Sequence, residues 1–150
     1  MQNKIHTEIT ELSIANSCIC SKLKAASRMV SRTYDHALKP IGLNSNQMTI
    51  LVAVSLMSPV SITKLSEKLS MERTTLTRNL RPIEKSGFIE LQDGYGRTRE
   101  LKLTVAGQSI LSQAKPLWDA AQSDLIEKLG EDDTSMINLL LKKILKNDVT

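Results

Sequence analysis

The sequence predicts a mainly α chain carrying one small β-hairpin, and three features predict it. Apolar residues recur every three or four positions through most of the 150 residues. The period drops to two in one place only, on either side of the glycine-bearing turn Asp93-Gly94-Tyr95-Gly96. Aromatic residues are 3% of the chain, so the core must be built from Leu, Ile, Val, Ala and Met, which suits helices.

The first pattern, about Ile9 to Leu38, reads as one helix. Its stripe is Ile19, Leu23, Ala26, Val30, Tyr34 and Ala37, with Lys22, Lys24, Arg28 and Arg32 between. Pro40 and Gly42 end it. Asn44 or Ser45 caps a second helix, about Asn46 to Leu56, so apolar that it belongs inside. Ser58-Pro59 breaks the chain. Ser61 then caps a short third helix to Leu69, and Ser70-Met71 connects tightly to a fourth, about Glu72 to Ser86, which Gly87 ends. Phe88, Ile89 and Leu91 precede the turn, and after it Leu101 and Leu103 alternate with Glu100 and Lys102. Thr104 caps a long helix to about Leu129. Gly130 to Asp133 is read as a connection, and a last helix runs from about Asp133 to Lys146.

Two short helices joined by a tight turn and followed by a hairpin make a winged helix-turn-helix, placed at residues 43–103. Residues 9–42 and 104–150 are the helical remainder. Apolar faces around Ile19, Leu23, Leu139, Leu140 and Ile144 exceed what a lone winged module needs, so dimerisation through the terminal helices is expected.

On a wheel of ~100° per residue, Leu76, Leu80 and Ile83 of the fourth helix face the core. Thr74, Arg78 and Arg81 lie opposite, with Thr75 and Thr77 on the shoulders and Arg73 at the start. An ordinary solvated face would favour Glu and Lys. This one holds no carboxylate and suits base edges, since Arg pairs with guanine bidentately and Thr offers a hydroxyl and a methyl. Arg97, Thr98 and Arg99 follow the hairpin glycines, where a basic loop can reach phosphates or the minor groove. Pro82 falls after the proposed base readers. The net charge of +4 is modest, but residues 1–60 and 61–103 each carry three more basic than acidic side chains, and residues 104–150 carry two fewer.

Other function classes find little support. Met1 to Glu11 is polar and does not read as a signal peptide, and Met48 to Met57 is too short to span a membrane, so a cytoplasmic protein is expected. His6 and His36 with the two thiols match no zinc spacing, and no cofactor or nucleophile motif occurs, so neither metal, cofactor nor enzyme activity is expected. Cys18 and Cys20 lie ~200° apart on a continuous helix, which argues against an internal disulfide. They are expected as small buried side chains, the alternative being an oxidant sensor that bridges to the partner subunit.

The run SITKLSEKLSMERTTLTRNLRPIEKSGFIEL, followed by GRTRELKLTVAG, resembles the multiple-antibiotic-resistance regulator (MarR) family. GLNSNQ and the terminal helices fit as well. The resemblance implies a homodimeric, sequence-specific transcriptional regulator, each winged module reading half of a near-palindromic double-stranded DNA operator. It also implies an effector cleft between the dimerisation helices and the DNA module, and repression relieved by a small molecule or an oxidant. The family's wing carries Asp-x-Arg at the positions of Tyr95 and Arg97. Here the arginine is kept and the bracing acid is not, with Asp93 the candidate substitute. A winged-helix module that binds protein instead of DNA would present an apolar or acidic face, contrary to Thr74, Arg78 and Arg81. A thiol redox enzyme would need a C-x-x-C motif in a βαβ unit, and neither is found.

Overall fold

A computed structural model of the chain describes residues 9–96 and 98–146, so His6 and Arg97 lie outside the described residues. The order is α1 (Glu11–Ser17), α2 (Ile19–Leu38), a 3-10 turn (Lys39–Ile41), α3 (Ser45–Met57), β1 (Val60–Ser61), α4 (Ile62–Lys68), α5 (Arg73–Lys85), β2 (Ile89–Asp93), β3 (Arg99–Leu103), α6 (Val105–Leu129) and α7 (Glu131–Lys146). The fold is mainly α with a small antiparallel sheet in the order β1-β3-β2: a winged helix-turn-helix between helical extensions.

The core is organised around α3. Its first turn closes in a capping box, Asn44 accepting from the Gln47 N–H and Gln47 Oε1 accepting from the Asn44 N–H, at 2.8 and 3.0 Å. Met48, Ile50, Leu51, Ala53 and Val54 are buried, because α2, α5, α6 and β3 all pack against this helix. Leu101 and Leu103 of β3 pair across the sheet with Leu91 and Ile89 and add the sheet's apolar face to the same core.

Four expectations need correction. The first helix is two, because Cys18 is extended (φ −67°, ψ 106°) and its thiol accepts from the Ser21 N–H at 3.4 Å. Ser17, just before it, bonds back to the Ser13 carbonyl, as serines do where they compete with the helix. Secondly, the break at Ser58-Pro59 leads into a short strand, β1, with Val60 opposite Leu101 and Ser61 opposite Glu100. Thirdly, Gly130 alone (φ 87°) turns the chain, so α7 starts at Glu131 and its three acidic residues form the first turn. Finally, Cys18 is half-buried and Cys20 exposed, so the protomer's own fold does not bury the two thiols.

The end of α5 is locked to the start of α6. Gly87 (φ 73°) sits past the last turn, with Gly87 N–H donating to Glu84 and Phe88 N–H to Ile83, a Schellman closure. The Thr104 hydroxyl donates to the Gly87 carbonyl at 2.5 Å and accepts from the Gly107 N–H at 2.9 Å. The Thr104 N–H donates to the Phe88 carbonyl at 3.1 Å. A Cβ on Gly107 would stand 2.0 Å from that same carbonyl oxygen, so only glycine lets α6 approach this closely.

Candidate nucleic-acid interface

Three buried residues set the rotation of α5. Leu76, Leu80 and Ile83 pack into the core, which leaves Arg73, Thr74, Thr75, Thr77, Arg78 and Arg81 exposed. The connection from α4 is tight: Met71 N–H donates to Ser66 at 2.9 Å, and Ser70 takes φ 51°. Glu72 precedes α5 with no side-chain cap, so its first amide groups remain open to a ligand such as a phosphate. Pro82 removes the N–H that would bond the Arg78 carbonyl, yet the helix continues to Lys85.

The exposed face carries a shallow depression between its side chains. Arg73, Thr74, Thr77, Arg78 and Arg81 surround a depression of about 570 Å³. The Thr77 hydroxyl donates to the Arg73 carbonyl at 2.8 Å, so outwardly it offers an acceptor and a methyl. Among the described residues the one ion pair is Lys128–Asp124, so no carboxylate neutralises the arginines of this face.

Beside it, Arg73, Thr98 and Arg99 meet Ser61, Ile62 and Thr63 around a second depression of about 270 Å³. Arg73 borders both hollows and joins the helix face to the wing. Residues 61–63 gave no sequence signal for this beyond the Ser61 cap, because a two-residue strand is too short to show alternation. In the wing turn, Gly94 N–H donates to the Thr98 carbonyl at 2.8 Å and Thr98 Oγ1 to the Tyr95 carbonyl at 2.7 Å. Tyr95 is 99% exposed, and Asp93 stands opposite Arg99 in the ladder. Two of the three wing residues singled out by the sequence are therefore placed with Arg73, and the third, Arg97, lies outside the described residues.

A different cleft opens between α2, α3 and α6, about 370 Å³, bordered by Val30, Tyr34, Met48, Met71 and Trp118 among others. Tyr34 and Trp118 stack with centroids 6.3 Å apart and planes 22° from parallel. The Tyr34 hydroxyl donates to Gln122 Oε1, tying α2 to α6, and burial pushes this phenol up from its ordinary value, so it stays protonated. Tyr34 was legible only as part of an apolar stripe, and Trp118 carried no signal.

This architecture defines the chain as a winged-helix nucleic-acid-binding protein, and comparison with known proteins narrows the class. A sequence model described as the MarR family matches residues 43–93. The M. tuberculosis transcriptional regulator MosR, solved in complex with DNA, is 30% identical, with 86% of this chain and 94% of that one covered and a TM-score of 0.78. The transcriptional repressor CouR, solved with p-coumaroyl-CoA, is 22% identical, with 91% and 97% covered and a TM-score of 0.79. A Bacillus cereus HTH-type transcriptional regulator is 28% identical over 73% of this chain and 75% of its own. The chain belongs to the MarR family and is a DNA-binding transcriptional regulator. Among the described residues no helix is long and apolar enough to cross a membrane.

Proposed function

We propose that the protein is a homodimeric repressor that reads a near-palindromic operator with one α5 per half-site. The observation that supports it most is the exposed, carboxylate-free Arg/Thr face of α5. In this reading Arg78 and Arg81, with Thr74, Thr75 and Thr77, reach base edges in the major groove, while Arg73 and the α5 amide groups take phosphate. Arg97, Thr98 and Arg99 carry the wing to the backbone or minor groove on the same side. Two-fold symmetry then sets half-site centres about one helical turn, ~10 bp, apart. A protein-docking role fits poorly, because a cationic threonine face matches phosphates and bases better than an apolar partner.

Release follows when a small effector fills the cleft between α2, α3 and α6, which lies where the helical extensions meet the winged module. About 3 kcal/mol of preference for a non-binding dimer suffices for a hundredfold loss of DNA affinity. Oxidation at Cys18 and Cys20, which the protomer's own fold leaves half-buried and exposed at the break before α2, is a second trigger. The protein would work in the cytoplasm, beside the DNA it controls. Selection of bound sequences from random duplexes tests the reading. An inverted repeat with ~10 bp between centres is expected, and recovery of no enriched sequence overturns it.

A further inference from the structure

The cleft between α2, α3 and α6 has a lining whose charge is as informative as its shape. Among the described residues that border it there is no Lys, Arg or His and no carboxylate. Its polar groups are all neutral: the hydroxyls of Ser31, Tyr34, Ser45 and Thr49, and the Asn46 amide. The remainder is apolar, with the Tyr34–Trp118 stack as a flat wall and the sulfurs of Met48 and Met71 beside it.

The first turn of α3 forms part of this border, and a helix start would ordinarily welcome an anion. Here two of its first three amides are already engaged. The Ser45 N–H donates to Asp35 Oδ1 at 2.7 Å, and the Gln47 N–H donates to Asn44 Oδ1 at 2.8 Å. Asp35 thus holds a carboxylate against the backbone of Ser45, a residue of the cleft's border, without itself lining the cleft. An anionic ligand in the cleft would give up part of its water, meet no counter-charge in the protomer's own lining and lie near a like charge, each of which opposes binding.

From this lining we infer that the cleft selects an uncharged, planar aromatic molecule and discriminates against an aromatic carboxylate of the same shape. The inference rests on the proposed effector role of this cleft and adds the chemical class. The volume of about 370 Å³ lies toward the small end of ligand pockets and suits a compound of one or two rings. The ligand stacks against Trp118, contacts the two methionines, and exchanges hydrogen bonds with Asn46 and the hydroxyls. Asp35 acts on selectivity at a distance, through its charge and its hold on Ser45.

A matched pair of probes tests this: 2-naphthamide and 2-naphthoate, titrated into the full chain by calorimetry near neutral pH, with displacement from the selected operator measured in parallel. The amide is expected to bind at least tenfold more tightly. In Asp35→Asn, whose Oδ1 can still accept from the Ser45 N–H, that gap should narrow several-fold by a gain for the naphthoate. Trp118→Phe should weaken the amide several-fold. Equal or tighter binding of naphthoate overturns the inference while leaving the cleft as an effector site. An unchanged gap in a folded Asp35→Asn protein overturns the part given to Asp35. Binding of the amide without release of DNA leaves the ligand class standing and removes the effector role. Binding of neither probe up to millimolar concentration removes both.

Discussion

Leu76, Leu80 and Ile83 on α5 keep no more than 4% of their surface, whereas Leu139, Leu140 and Ile144 on α7 keep 48, 49 and 42%. Both helices carry an apolar stripe at helical spacing, and the difference lies in what covers it. The winged module folds its stripes onto one another around α3, so its core closes within one chain. At the other end, α1 and α7 contain no buried residue, and an apolar hollow of about 560 Å³ stands open between α2, α6 and α7. An apolar surface that large, spread over the terminal helices, suits a half-interface, and it is the physical ground for the proposed homodimer.

The strongest way to break the comparison is to charge the open half. Leu140→Asp with Ile144→Asp should give a folded monomer by sedimentation. Operator affinity should fall ~10²–10⁴-fold, the usual worth of joining two half-site readers. An unchanged dimer mass would show that α7 is not the interface.

The joint between the two regions comes next. Gly107→Ala improves helix propensity, yet its Cβ collides with the Phe88 carbonyl. It should cost ~1–3 kcal/mol of stability in urea unfolding, as overpacking does. A neutral or stabilising result would mean that α6 can retreat from Phe88.

Within the closed half, Arg78→Ala should leave stability unchanged and cost ~1–3 kcal/mol of operator binding, with relaxed preference at one base pair. Arg97→Ala should weaken cognate and unrelated duplexes alike and lower the salt slope by about one phosphate contact. A response confined to one base position would make Arg97 a base reader instead. The smallest effect is on the thiols. Cys20 should react with iodoacetamide in the native protein without urea, and slow labelling would place a partner's surface over the start of α2.

The sequence was most readable where local chemistry and packing agree. Ser61 and Thr104 cap the helices they were expected to begin, Asn44 does so of the two candidates Asn44 and Ser45, Gly87 ends α5, and the wheel placed Leu76, Leu80 and Ile83 inward. It was least readable where the deciding contact is remote. The pairing of Val60 with Leu101 spans 41 positions, and the approach of Gly107 to Phe88 depends on a backbone carbonyl that no periodicity reports. The break at Cys18 leaves no mark in the sequence because the stripe from Ile19 onward is continuous with the apolar residues before it. Of the candidate interface, the α5 face followed from the wheel, but its union with Thr98 and Arg99 through Arg73 required the fold. The cleft required it still more, since Tyr34 and Trp118 meet from helices 84 positions apart.

The joint at Thr104 has a mechanical consequence. With the Thr104 hydroxyl holding Gly87 and Gly107 against Phe88, the end of α5 and the start of α6 turn together as a crank. The 25 residues of α6 make its arm ~37 Å long. A pivot of only ~5° about its middle swings either end by ~1.6 Å. That travel is about three times the ~0.5 Å window within which N–H···O bonds form. Substitutions at the far end of α6, such as Leu125 or Leu129, are therefore expected to change operator affinity without approaching DNA, and the size of that change would measure how stiff the arm is across Pro116.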